Sequence, residues 1–118
     1  AFASALGDKS GIKRFGSFFV PMDEALAFCS VDISGRPYLV FEDAGLSQKN
    51  MPGFDTALVS EFFRAFAFNA GITLHLRIMY GNNAHHMVEA AFKAVARALS
   101  EAVSVDARPN STKGGLGI

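Results

Sequence analysis

Between Ala25 and Ile33 every second residue is apolar: Ala25, Ala27, Cys29, Val31 and Ile33 alternate with Leu26, Phe28, Ser30 and Asp32. A period of two places the first set on one face of an extended strand and the second set on the other. The same rhythm returns at Ile72, Leu74, Leu76 and Ile78, with Thr73, His75, Arg77 and Met79 between them. A strand with one wholly apolar face needs a second layer to cover it. Two stretches of helical period supply that layer. Leu58, Phe62 and Phe66, flanked by Val59 and Phe63, form one stripe, and Val88, Ala91, Val95 and Leu99 form the other.

Local signals set the boundaries. Arg14 to Val20 is aromatic and β-branched and reads as a first strand, which Pro21 is expected to end. Ser34-Gly35-Arg36-Pro37 is turn chemistry, so Tyr38 to Phe41 reads as a third strand in an antiparallel hairpin with the second. Residues 43 to 53 read as a polar loop. Asp55 is placed to cap the first helix, which closes at Asn69-Ala70-Gly71, and Asn83 is placed to cap the second, which runs to Val103. The predicted order is β-β-β-α-β-α. It describes an α+β two-layer sandwich, a four-stranded and mainly antiparallel sheet with two helices on one face. Residues 1–118 read as one unit, with 1–6 the tail of a preceding helix that stops at Gly7 and 104–118 a C-terminal tail or loop.

A chain of 118 residues that is 50% apolar has enough material for one core. Eleven basic and eleven acidic residues cancel, which argues against bulk attraction to nucleic acid or an anionic membrane. Cys29 is the lone cysteine, so no internal disulfide forms, and no long uncharged apolar run is present. A reducing interior fits this composition: the cytoplasm, or the plastid in a plant.

The candidate chemistry concentrates at Asn83-Ala84-His85-His86-Met87-Val88-Glu89. His85 and His86 each lie within one helical turn of Glu89, while their side chains diverge by roughly 100° around the axis. One turn could therefore serve two ions. Only three histidines occur, and the predicted layout brings His75 to the same end as the pair. The positive end of a helix is expected to keep these imidazoles neutral, the form that binds a cation. Two histidines and a glutamate suit Mn²⁺, Fe²⁺ or Zn²⁺ better than Mg²⁺ or Ca²⁺. The alternative is plain: exposed capping-region histidines beside a solvated carboxylate. Arg14, Arg36 and Arg77 flank strands or turns where a guanidinium grips phosphate or carboxylate, though for any one of them surface solubility or ion pairing is the better reading from sequence alone. Ser111-Thr112-Lys113-Gly114-Gly115 offers hydroxyls, an ammonium and amides to an anion, without the order of a nucleotide phosphate loop. Asp23 and Glu24 put two carboxylates at a strand junction, as an acid, a base or turn-formers.

Taken in order, Gly11-Ile12-Lys13-Arg14-Phe15-Gly16, Pro21-Met22-Asp23-Glu24-Ala25-Leu26, Asp32-Ile33-Ser34-Gly35-Arg36-Pro37-Tyr38, Thr73-Leu74-His75-Leu76-Arg77, His85 through Ala94 and Ser111-Thr112-Lys113-Gly114 resemble the imidazoleglycerol-phosphate dehydratase family. The resemblance implies the duplicated ribosomal S5 domain 2-like fold, of which this chain corresponds to the second half. It implies a dimanganese site with His75, His85, His86 and Glu89 as ligands. Arg14, Arg36, Ser111 and Lys113 would hold the substrate phosphate, and Asp23 or Glu24 would handle protons. The implied reaction is dehydration of imidazole glycerol phosphate to imidazole acetol phosphate in histidine biosynthesis, with two Mn²⁺ as Lewis acid and template. The implied partners are copies of the same protein in a shell of two dozen subunits, or a chain carrying the first half, whose own His-His-x-x-Glu helix is absent here. Thr112 stands where the family often has serine. Two other readings stay open: a non-catalytic half-domain that pairs two copies and binds metal weakly, and an unrelated metal- or nucleic-acid-binding α+β module.

Overall fold

The computed structural model describes residues 11–106. The expected helix tail at 1–6, and Ser111, Thr112 and Lys113, lie outside the described residues. Strands β1 (Phe15–Met22), β2 (Ala25–Asp32) and β3 (Tyr38–Glu42) are followed by helix α1 (Leu58–Ala70), strand β4 (Thr73–Tyr80) and helix α2 (Ala84–Ala102). The predicted order of elements therefore holds. A single 3-10 turn, Leu46–Gln48, interrupts the loop after β3, with Asp43 Oδ1 and Oδ2 accepting from the amides of Gly45 and Ser47.

The four strands lie in the order β1-β2-β4-β3. β1 and β2 pair antiparallel from Phe15↔Asp32 to Met22↔Ala25, β2 and β4 pair antiparallel, and β3 lies parallel to β4 at the far edge. The expected hairpin between the second and third strands does not form. β4 inserts between them, and β3 reaches its neighbour through the long crossover that carries α1, as adjacent parallel strands require. The tight hairpin is instead β1–β2, closed by Asp23 and Glu24, with Asp23 at φ 52°.

Pro21 does not end β1, which continues to Met22. β1 is an edge strand, and an edge can accept a residue with no N–H if its nitrogen points away from the sheet. The Ser17 amide on the same strand is taken by Glu101 Oε1 at 2.9 Å, so it faces away from β2, and Pro21, an even number of residues on, faces the same way.

The core lies between the sheet and the helices. Ala25, Ala27, Cys29 and Val31 of β2 and Leu74, Leu76 and Ile78 of β4 are buried, as the alternation predicts. The helical faces are turned from expectation. In α1 the buried residues are Val59, Phe63, Ala67 and Ala70, while Leu58 and Phe62 are exposed. In α2 they include Met87, Ala90, Ala94, Ala98 and Ala102 beside the predicted Ala91 and Val95, and Val88 and Leu99 are half-buried. Small alanines let α2 lie close to the sheet. At Gly16 the approach is so close that a Cβ would stand 2.0 Å from the Ala98 carbonyl oxygen. Phe92 of α2 joins the two helices through Phe63, with ring centroids 4.7 Å apart, and Phe63 meets Phe41 of β3 edge-on at 5.9 Å.

Asn83 is extended and its side chain accepts from the His86 amide at 3.1 Å, as predicted for α2. Asp55 is not the cap of α1: its carboxylate accepts from the Ala57 amide at 3.0 Å in the turn before the helix, and Ala57 stands at the cap with no side-chain hydrogen bond, while Gly71 ends α1 in the left-handed region as expected. Ser104 to Asp106 does not leave as a tail. The Lys13 amide donates to Ser104 O, the Asp106 amide donates to Gly11 O, and Ile12 bridges Val105. No helix among the described residues is long and apolar enough to cross a membrane.

Candidate functional site

The first two turns of α2 carry His85, His86 and Glu89, and the β1–β2 turn packs beside them. His85 Nε2 lies 3.5 Å from Glu89 Oε1, and the other Glu89 oxygen accepts from Lys93 Nζ at 3.0 Å. Lys93 holds the Glu89 carboxyl below the usual carboxylate range, with a smaller contribution from the two histidines. His85 is largely exposed, and its ring centroid stands 6.4 Å from that of His86.

His86 is more enclosed. Its Nδ1 is 2.8 Å from Glu24 Oε1, and its Nε2 is 3.4 Å from Asp23 Oδ2. The remaining oxygen of Glu24 accepts from the amides of Asn82 at 2.9 Å and Asn83 at 2.7 Å. The amide of Asn83, then His86, then the amide of Asn82 hold the Glu24 carboxyl down at about 2. The hydrogen bond to Glu24 raises the pKa of His86. The shift runs against the direction expected from the helix N-terminus, because a carboxylate in direct contact outweighs a partial charge spread over a helix turn.

His75 does not join this group. It sits in β4 opposite Ser30, with its side chain on the face away from the helices, and it is exposed. The five steps from His75 to Tyr80 at the α2 end span about 17 Å of strand. The predicted meeting of all three histidines fails because alternation sends His75 to the open face, while α2 returns over the other. Among the described residues no three His, Cys, Asp or Glu side chains form a ready-made metal site.

The arginines gather elsewhere. Arg14 Nε donates to Asp32 Oδ1 at 2.6 Å and its terminal nitrogen donates to Oδ2 at 3.2 Å, a two-pronged grip that raises the Arg14 pKa. Arg36 reaches the same carboxylate at 4.0 Å. The structure thus brings Arg14 and Arg36 together around Asp32, a residue for which sequence spacing gave no role. Arg14 holds φ 78°, anchored by its amide on Ala102 O and its carbonyl on the Ile33 amide. Arg77 is paired with Glu42 at 2.8 Å, the surface ion-pair reading. Asp32 and Ala25 mark opposite ends of β2, about 23 Å apart along the strand. The arginine pair and the histidine pair are therefore at opposite ends of one chain.

Sequence reasoning named Asp23 and Glu24 without separating them. The structure does: both oxygens of Glu24 are engaged, whereas Asp23 is exposed and makes, among the described residues, the longer approach to His86. The partnership of Lys93 with Glu89 was also missed, though the Glu-x-x-x-Lys spacing on a helix signals it.

The sequence and the fold find counterparts in known proteins. Two Clostridium botulinum proteins, of strains Langeland and Kyoto, both named imidazoleglycerol-phosphate dehydratase, are 61% and 60% identical to this chain over 98% of its length. The chain spans 60% of the length of each. The crystal structure of imidazoleglycerol-phosphate dehydratase from Staphylococcus aureus N315 superposes with a TM-score of 0.83 at 48% identity, covering 89% of this chain and 60% of that one. The Pyrococcus furiosus enzyme, crystallised with (S)-C348, gives 0.76 at 40% identity, covering 98% of this chain and 64% of that one. The family model for imidazoleglycerol-phosphate dehydratase matches residues 1–99, and to that family this chain belongs.

Proposed function

We propose that this chain supplies part of the active site of an imidazoleglycerol-phosphate dehydratase, a hydro-lyase of histidine biosynthesis that converts imidazole glycerol phosphate to imidazole acetol phosphate. The observation that carries the reading is the start of α2 in a member of this family: two imidazoles and, three to four residues on, a carboxylate, all accessible. The donor set fits a borderline divalent cation, and Mn²⁺ is the ion proposed, held by His85, His86 and Glu89. Glu89 already accepts an ammonium, so the turn is built to receive positive charge. Bound there, Mn²⁺ would supply Lewis-acid polarisation of the substrate imidazole. Three donors leave each coordination sphere short, and the rest are proposed to come from elsewhere in the assembly.

Dehydration breaks one C–H and one C–O bond, releases water, and leaves an enol that becomes the product ketone. Asp23, exposed and beside His86, is the carboxylate proposed to carry the proton. Arg14 and Arg36 are proposed to take the phosphate, together with Ser111 and Lys113. Arg14 is preorganised for this by Asp32, which leaves the guanidinium about half-exposed. The two clusters are about 23 Å apart on one chain, farther than this small substrate reaches. The arginines are therefore proposed to serve the histidines of a neighbouring copy, which makes a homo-oligomer the working form.

The test is manganese content and dehydratase turnover in the native protein and in a His85→Ala/His86→Ala variant. Both are expected to be lost in the variant, and unchanged metal content would overturn the reading. Arg14→Ala is expected to raise KM about tenfold or more while kcat changes little, since a charge-assisted hydrogen bond contributes ~1.5–3 kcal/mol. An unaltered KM would remove Arg14 from the phosphate site.

A further inference from the structure

We propose that Glu24 is a positioning residue that fixes the tautomer of His86, holding the proton on Nδ1 so that the Nε2 lone pair is presented to a cation. The inference rests on the metal reading above and concerns a residue that bears on the ion only through another.

The argument starts from the carboxylate. Glu24 Oε2 accepts two backbone amides, from Asn82 and Asn83, at 2.9 and 2.7 Å. Those donors cannot rotate away, because Asn83 is the cap of α2 and its own side chain holds the His86 amide. With Oε2 pinned, Oε1 is aimed at His86 Nδ1 at 2.8 Å. An ionised carboxylate only accepts, so Nδ1 must donate. A neutral imidazole then carries its lone pair on Nε2. Histidines that bind metals are usually held through the other ring nitrogen in this way, and loss of such a partner costs 10–100-fold in metal affinity. Nε2 faces Asp23 Oδ2 at 3.4 Å, too long for a good hydrogen bond, so among the described residues no group claims that lone pair at close range. The same carboxylate ties the β1–β2 turn to the start of α2, across 62 residues of sequence. Glu24 is thus withdrawn from the proton-handling role it shared with Asp23.

Glu24→Gln separates positioning from scaffolding. The glutamine carbonyl oxygen is expected to stay on the two amides, since the opposite orientation sets its NH₂ against two N–H donors. Its NH₂ then faces Nδ1 and forces the proton to Nε2. The measurement is ¹⁵N NMR of the histidine ring nitrogens in the intact, metal-free protein at a pH where the ring is neutral, assigned with a His86→Gln variant. Nδ1–H is expected in the native protein and Nε2–H in Glu24→Gln, with protection of the Asn82 and Asn83 amides retained. Mn²⁺ affinity by titration calorimetry is expected to fall 10–100-fold in the variant. An Nε2–H tautomer in the native protein overturns the inference without need of any variant. So does an unshifted tautomer in Glu24→Gln, or a shifted tautomer with unchanged Mn²⁺ affinity. Failure of the native protein to take up Mn²⁺ overturns instead the metal reading on which the inference rests, and the Nδ1–H result is read separately from it.

Discussion

Replacing Gly16 with alanine tests the closest contact in the fold. The new methyl would stand 2.0 Å from the Ala98 carbonyl oxygen, 2.9 Å from its carbon and 3.0 Å from the Ala102 nitrogen, all of them helix backbone that no rotamer change can move. An ordinary contact requires α2 to retreat by about 1.4 Å. A gap of 0.5–1 Å already forfeits a quarter to a half of the dispersion attraction at each contact. Ala94, Ala98 and Ala102 are fully buried nearby. At ~0.8 kcal/mol per buried methyl, their partial loss amounts to about 1 kcal/mol. Strain from the forced shift adds ~1–3 kcal/mol. Loss of glycine flexibility in the unfolded chain returns only ~0.5–1 kcal/mol. The net expectation is destabilisation by about 1–3.5 kcal/mol. With a urea slope of ~1–1.5 kcal/mol/M for a chain of this size, the midpoint moves down by about 2 M. Equilibrium urea unfolding at one fixed protein concentration reads this directly. Gly11→Ala, which would meet nothing within 4 Å, is the control and should stay within about 0.5 kcal/mol. A Gly16→Ala midpoint within about 0.3 M of the native value would refute the packing argument.

Two further outcomes follow from the titrating groups. Glu24 falls from an ordinary 4.5 to about 2 in the folded protein, so its contribution is complete above 4.5 and fades as pH drops toward 2. His86 is shifted upward from 6.5, so its contribution is complete below 6.5 and fades as pH rises through the raised value. The tie between the β1–β2 turn and α2 is therefore strongest between about pH 4.5 and 6.5, and protection factors of the Asn82 and Asn83 amides should be largest there; a flat profile counts against it. Burial pushes the Cys29 thiol up to about 12, so iodoacetamide at pH 8 should label it only after unfolding, and rapid labelling of the native protein would contradict its place in the core.

The elements that were legible in the sequence are those with one buried face. β2 and β4 alternate cleanly because every second side chain meets the helices, and α2 begins where Asn83 says it should. β3 gave no such signal: its central residues are all half-buried, so its pattern has no sided preference. A turn at Ser34 to Pro37 says that the chain reverses, not which strand it will meet, and β4, the true neighbour, had yet to come. The helix faces were misjudged because large residues drew the stripe. Phe62 outweighs Ala67 and Leu99 outweighs Ala98 on any hydrophobicity scale, yet the alanines are the buried ones, and in α2 the close approach at Gly16 admits only small side chains. Within the site, His85, His86 and Glu89 were visible through their spacing on one helix. The Glu24–His86 contact was not, since nothing local relates residues so far apart, and neither was the role of Asp32, whose partners arrive from two separate turns.

The proline in β1 has a consequence for how the protein behaves in a crowded cell. An open sheet edge is a template on which another extended chain can lay down a ladder of hydrogen bonds. Along β1 the outward positions are Phe15, Ser17, Phe19 and Pro21. The Ser17 amide is already taken by Glu101, and Pro21 has no proton to offer. A foreign strand arriving there finds every second rung missing and cannot zip. The edge is guarded against runaway sheet growth by one ring and one carboxylate, although strongly apolar side chains, Phe15 and Phe19, stand exposed beside it.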